Sequence, residues 1–195
     1  MRRYELRRTT KETDIGLMLE LDGTGKSNVV SGVGFMDHML DLLAAHGRLD
    51  LVLRCEGDTD VDDHHSVEDI GIALGEALRA ALGKKEGINR YGSAMIPMDE
   101  ALVLCALDLS GRAEVRWNVE IPAQKVGTFD TELCEEFFKA LARSAGMTLH
   151  LRTLDGTNSH HIIEACFKAF ARAMRQAVRV DPELRGEIPS SKGSL

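Results

Sequence analysis

The sequence predicts an α+β fold made of two copies of one β-β-α-β-α unit, with two sheets and the helices packed between them. Three observations carry this. Strand-like and helix-like segments follow one another in the same order in both halves of the 195 residues. A His-His-x-x-Glu cluster sits near the last helix of each half, as DDHHSVED and NSHHIIEA. Spacing is nearly constant: Arg54 and Arg152 close equivalent strands 98 residues apart, whereas His64 and His160 are 96 apart. The two-residue difference falls in a loop that is longer in the first copy.

In chain order, YELRRTT, IGLMLEL and SNVVSGV read as strands separated by polar or glycine-containing turns. FMDHMLDLLAAHG is a short helix that stops at Gly47, and LDLVLRC is a strand. Val67, Ile70, Leu74, Ala77, Leu78 and Ala81 then recur at three- and four-residue steps and predict a long helix. In the second half EALVLCALDLSG and AEVRWNVEIP form a strand pair, TELCEEFFKALARSAG a helix and MTLHLRT a strand. Ile162, Ile163, Phe167, Phe170 and Met174 mark the final helix. On this reading only the first copy carries an extra N-terminal strand. The repeats span 1–92 and 93–180 and form one compact unit. Residues 181–195, with Pro182 and Pro189, form an extended tail.

Composition narrows the function classes. Apolar residues make up 44% and charged residues 28%, the balance of a globular domain. A net charge of −7 argues against a general nucleic-acid binder. The polar opening MRRYELRRTTKETD is not a signal peptide, and no apolar run is long enough to span a membrane. Cys55, Cys105, Cys134 and Cys166 are scattered, which points to reduced thiols in the cytoplasm rather than to a zinc-thiolate site.

The histidine clusters carry the chemistry. On a helix of ~100° per residue, His161 lies ~100° and Glu164 ~40° from His160. The two imidazoles therefore suit two different ions, with Glu164 between them. His64, His65 and Glu68 repeat the pattern, provided their helix begins by residue 64. Mixed nitrogen and oxygen donors without thiolate suit manganese, iron or another first-row divalent ion, and zinc also fits them. His38, shifted by the 98-residue offset, lands on Glu136, so these two become the seventh and eighth ligands.

Taken together, GFMDHMLDLLAAHG, DDHHSVEDIGIALG, TLHLRTLDGTNSHHIIEACFKAFARAM and GEIPSSKG resemble imidazoleglycerol-phosphate dehydratase over essentially the whole chain. That family converts imidazole glycerol phosphate to imidazole acetol phosphate in histidine biosynthesis. The length is that of the form without an added phosphatase domain. The resemblance implies a lyase with two Mn2+ per active site, and a homo-oligomer of 24 subunits whose sites lie between subunits. Its metal ligands would be His38, His64, His65, Glu68, His160, His161 and Glu164. Glu136 stands where many relatives have histidine, and Leu42 where some have glutamine. Arg90, Arg112, Lys168, Ser190, Ser191 and Lys192 match phosphate-contacting positions, which suits guanidinium and ammonium chemistry. Glu12, His46 and Asp99 match positions close to the substrate. The reaction implied is loss of water through a metal-stabilised imidazolate and a diazafulvene-like intermediate, with Glu12, His46 and Glu164 moving protons. Two other functions would use the same clusters. A two-metal hydrolase would release phosphate or an amine, and a metal-dependent assembly protein would need no phosphate-binding tail.

Overall fold

The computed structural model describes residues 2–184 and 186–193. Positions 185, 194 and 195 of the expected tail lie outside the described residues. The first unit runs β1 (Arg3–Thr9), β2 (Thr13–Glu20), β3 (Ser27–Val30), α1 (Gly34–Gly47), β4 (Asp50–Gly57) and α2 (His64–Leu82). The second runs β5 (Tyr91–Met98), β6 (Ala101–Asp108), β7 (Glu114–Asn118), α3 (Glu132–Ala145), β10 (Thr148–Asp155) and α4 (Ser159–Ala177). Between β7 and α3 it adds a small hairpin, β8 (Lys125–Val126) with β9 (Phe129–Asp130).

The duplicated α+β architecture is as expected, and the duplication extends to strand order, β1-β2-β4-β3 in one sheet and β5-β6-β10-β7 in the other; the expected pair of β6 with β7 is split by β10. Alternation explains how each sheet faces inward. Ile15, Leu17 and Leu19 of β2, and Val103, Cys105 and Leu107 of β6, are buried, while their neighbours are only partly covered or exposed. The inner faces are capped by the helices. Phe137 and Phe138 of α3 join Phe167 of α4 at ring-centroid distances of 5.2 and 4.8 Å, welding the two helices of the second unit.

One expectation needs correction. The extra N-terminal strand is present in both copies, because β5 is the counterpart of β1. Its sequence YGSAMIPM hides it: Gly92 and Pro97 both weaken a strand pattern. Pro97 is tolerated because β5 is a sheet edge. Gly92 is required because a Cβ there would overlap the Ala173 carbonyl of α4. Register confirms the equivalence: Thr9 faces Asp14 and Pro97 faces Leu102, both members displaced by 88 residues. The offset grows from 88 to 98 across the inserted hairpin.

Helix pairing crosses between the copies, α1 against α4 and α2 against α3. Close approach of α2 to α3 rests on two glycines. A Cβ on Gly71 would lie 2.7 Å from the Phe137 carbonyl oxygen, and one on Gly75 would lie 2.5 Å from that of Leu141. The tail is tied down rather than free. Gly87 N–H donates to the Glu187 carbonyl at 2.8 Å, and Arg90 Nη1 to the Pro189 carbonyl at 2.9 Å.

Gly75→Ala is expected to lower stability although alanine is the better helix former by ~1 kcal/mol. Forcing a methyl against backbone costs about 1–3 kcal/mol, so the helix pair must separate. Calorimetry should show a Tm lower by a few degrees; an unchanged or higher Tm would mean that this contact does not set the helix spacing.

Candidate active site

The N-terminus of α4 is fixed by its cap. Asn158 Oδ1 accepts hydrogen bonds from the backbone N–H groups of His160 and His161 at 2.9 and 3.3 Å. Helical geometry then stacks Glu164 one turn below His160, with Oε2 3.2 Å from His160 Nε2. Helix α1 brings His38 to the same carboxylate, Nε2 to Oε2 at 3.5 Å. His38, His160 and Glu164 each offer one ligand atom within 4.8 Å of the others. Two imidazole nitrogens and one carboxylate oxygen are the donor set of a first-row divalent ion, so the residues present fit such a metal.

Lys168, one further turn along α4, donates to the other oxygen, Glu164 Oε1, at 2.6 Å. Burial pushes the Glu164 carboxyl up, but the hydrogen bond and charge of Lys168, with His160 and His38, hold it below its ordinary value. The carboxylate is therefore buried yet ionised. His46 at the end of α1 is pushed down by burial and by the charges of Lys168 and Arg172, which favours its neutral form.

The adjacent histidines diverge as the helical wheel predicts, with His160 and His161 ring centroids 6.3 Å apart and their planes at 77°. His161 turns to the β5–β6 hairpin. Its Nδ1 is 2.7 Å from Glu100 Oε2, and its Nε2 is 3.7 Å from Asp99 Oδ2. The first unit repeats this. Helix α2 starts at His64, whose N–H donates to Asp62 Oδ1 at 2.8 Å. His64 Nε2 lies 3.7 Å from Glu68 Oε2, while His65 turns away, with Nδ1 3.0 Å from Asp58 Oδ2 and Nε2 3.8 Å from Glu12 Oε1. Hydrogen bonding to Asp58 and Glu100 raises the pKa of His65 and His161 respectively. In return the His161 hydrogen bond, then the Asn158 N–H, hold the Glu100 carboxyl down to about 2.

Other expected residues do not converge within one chain. Glu136 is not part of the three-ligand cluster; its Oε1 is 3.2 Å from Lys139 Nζ. His64 and Glu68 find no third close ligand among the described residues. Arg90 is clamped by Asp108 at 2.7 and 3.0 Å, and Arg112 approaches the same carboxylate at 3.8 Å. Ser190 Oγ accepts from the Lys192 N–H at 3.2 Å within the tail. These groups, with Ser191, belong to the Arg90 end of β5. Lys168 Nζ sits 3.4 Å from Met98 Sδ at its other end. At ~3.3 Å per residue the strand separates the two groups by roughly 23 Å.

Sequence reasoning missed Asp58 and Glu100. Glu100 had a signal, since the 88-residue offset of the paired strands maps Glu12 onto it. Asp58 had none, because it lies in the loop where the copies differ.

Two sheets over four helices, with a histidine–carboxylate cluster at a helix start, define a duplicated α+β protein equipped to hold a divalent metal. Comparison with known proteins is specific. The family pattern described as imidazoleglycerol-phosphate dehydratase matches residues 31–174. Relatives of that name from Jannaschia sp. and Roseobacter denitrificans are 58% and 60% identical over 195 residues, covering all of both chains. The solved structure of the Staphylococcus aureus enzyme superposes with a TM-score of 0.84 at 41% identity, covering 92% of this chain and 99% of that one. That of Pyrococcus furiosus gives 0.84 at 38% identity, covering 97% and 100%. The chain belongs to the imidazoleglycerol-phosphate dehydratase family.

The acidity of Glu164 gives a pH prediction. A carboxyl whose folded pKa lies below its unfolded value adds stability that is full above the unfolded value and lost as pH falls through the folded one. Lys168→Met removes the group that outweighs burial, so the Glu164 titration should move upward toward its unfolded value and the stability that this carboxyl loses on acidification should shrink. A 13C carboxyl titration of chelator-treated wild type and variant measures this; coincident curves would exclude Lys168 as the controlling charge.

Proposed function

We propose that this chain catalyses the dehydration of imidazole glycerol phosphate to imidazole acetol phosphate in histidine biosynthesis, as a metal-dependent hydro-lyase in the cytoplasm. Among the described residues no helix is long and apolar enough to cross a membrane. The observation that supports the reading best is the cluster of His38, His160 and Glu164 with Lys168 on its far oxygen, in a chain of this family.

The site uses two Mn2+ ions. His38, His160 and Glu164 hold one, while His64, His65, Glu68, Glu136 and His161 contribute to the rest of the ligand set. When bound, the ions supply Lewis acidity to the substrate's imidazole nitrogens. The two repeats, 1–92 and 93–180, act as one unit. The tail from 181 joins Arg90 and Arg112 in holding phosphate through Ser190, Ser191 and Lys192. Arg90 spends its guanidinium on Asp108 and the Pro189 carbonyl and so fixes the tail, whereas the Arg112 side chain remains 70% exposed and open to an anion. Because the strand length keeps this group apart from Lys168, one site draws on two copies of the chain. That is the reason for proposing active sites between subunits, in a 24-subunit assembly.

Dehydration breaks one carbon–oxygen and one carbon–hydrogen bond. The electron-rich ring expels the hydroxyl as water, giving a diazafulvene-like species; removal of the side-chain proton restores the aromatic ring, and the resulting enol becomes the ketone. Glu12 and Glu164 carry the two proton transfers, with His46 assisting. The lowered pKa of Glu164 keeps it ionised, as a proton acceptor must be, and the other transfer falls to Glu12. Asp99 orients substrate beside His161.

The test is to incubate manganese-loaded protein with imidazole glycerol phosphate. Ketone should form with phosphate retained; release of inorganic phosphate would instead identify a hydrolase, and no turnover with metal content verified would overturn the reading. Glu12→Gln should lower kcat by about 10²–10⁴-fold with metal content unchanged. Near-normal kcat would remove Glu12 from proton transfer.

A further inference from the structure

The paired units share a hairpin glutamate, Glu12 in one and Glu100 in the other, at equivalent register positions. Each faces the second histidine of its helix, but on a different ring nitrogen. Glu100 Oε2 meets His161 Nδ1 at 2.7 Å, whereas Glu12 Oε1 lies 3.8 Å from His65 Nε2. In the first unit the Nδ1 position is taken by Asp58, at 3.0 and 3.2 Å from its two oxygens. Asp58 comes from the longer loop between β4 and α2. In the second unit the Nε2 side faces Asp99, the residue next to Glu100 in the hairpin turn. Each second histidine therefore has a carboxylate bonded to Nδ1 and another, looser one facing Nε2.

We infer that Asp58 and Glu100 are matched positioning residues, which hold His65 and His161 as Nδ1–H tautomers with Nε2 directed into the site. The assignment rests on the metal-dependent reading above. An ionised carboxylate only accepts, so each close contact requires a proton on Nδ1. Neutral imidazole carries one N–H, so Nε2 is left with its lone pair for an ion. Glu100 is itself anchored. Its Oε1 accepts from the backbone N–H of Asn158 at 2.7 Å and of Thr157 at 3.2 Å, so one side chain ties the hairpin, the start of α4 and the ring. Asp58 is held through its own N–H, which donates to the Glu12 carbonyl at 3.1 Å. Glu12 and Glu100 have thereby diverged: Glu100 is occupied with fixing a ring and backbone amides, whereas the Glu12 carboxylate makes only the looser 3.8 Å approach to His65.

Chelator-treated protein at pH ~9, above the ordinary imidazole range, should show both rings as Nδ1–H tautomers in long-range 1H–15N spectra. Glu100→Ala should move His161 toward the Nε2–H form and leave His65 unchanged, with Asp58→Ala doing the reverse. Calorimetric manganese affinity should fall by about 10–100-fold in either variant. Glu100→Gln, whose single oxygen can accept from the ring or from the backbone amides but not from both, should restore at most part of that loss and serves if the alanine variant does not fold. A wild-type His161 already in the Nε2–H form, or a tautomer insensitive to both Glu100 variants, would overturn the assignment. Tautomer shifts as expected in a protein that never turns over imidazole glycerol phosphate would instead overturn only the proposed reaction.

Discussion

The first turn of α4 is the junction on which the candidate site depends. Asn158 caps it from one side, and Glu100 grips the Thr157 and Asn158 amides from the hairpin side. These contacts set where the helix begins, and that start sets the direction of every side chain above it. A shift of one residue rotates the wheel by ~100° and would put one of the two histidines in the other's place while carrying the other out of the site. Lys168 and Glu164 then lie on the same stripe one turn apart, so the charge that keeps Glu164 ionised is delivered by the same register.

The core makes this junction rigid. Glycines at Gly71 and Gly75 let α2 and α3 approach, and Gly92 lets β5 pass against α4. Helix pairing across the copies means that neither unit completes a cluster alone. His38 comes from the first unit, while His160 and Glu164 come from the second. The reciprocal pairing of α2 with α3 should bring Glu136 toward His64 and Glu68, but Lys139 engages Glu136 instead. Duplication has thus yielded two related but unequal halves, one with a three-ligand cluster within a single chain and one without.

The division of charge follows the same economy of parts. In a chain of net charge −7, the arginines nearest the tail are concentrated at the opposite end of β5 from the metal-competent cluster. Asp108 gathers Arg90 and Arg112, and Arg90 in turn secures the tail through the Pro189 carbonyl. The geometry separates an arginine-rich edge from the edge that carries the histidine–carboxylate cluster within one chain.

The sequence by itself determined the duplication, the order of the helices and of the strands other than β5 and the small hairpin, the divergence of the paired histidines and the helical spacing of Glu164 and Lys168. Each follows from local periodicity, because side-chain direction within an element is a function of position along it. It concealed β5, whose inward positions are suited to one neighbour: Gly92 is understood only once Ala173 lies above it. Tertiary structure alone decided that His38 joins the second unit's cluster. It likewise decided that Asp58 and Glu100 hold the second histidines, and that the tail group stands a strand's length from Lys168. Apart from Asp58 and His65, which are joined by one loop, these residues lie far apart in the chain, and their distances are set by how helices pack between the sheets, which no local pattern encodes.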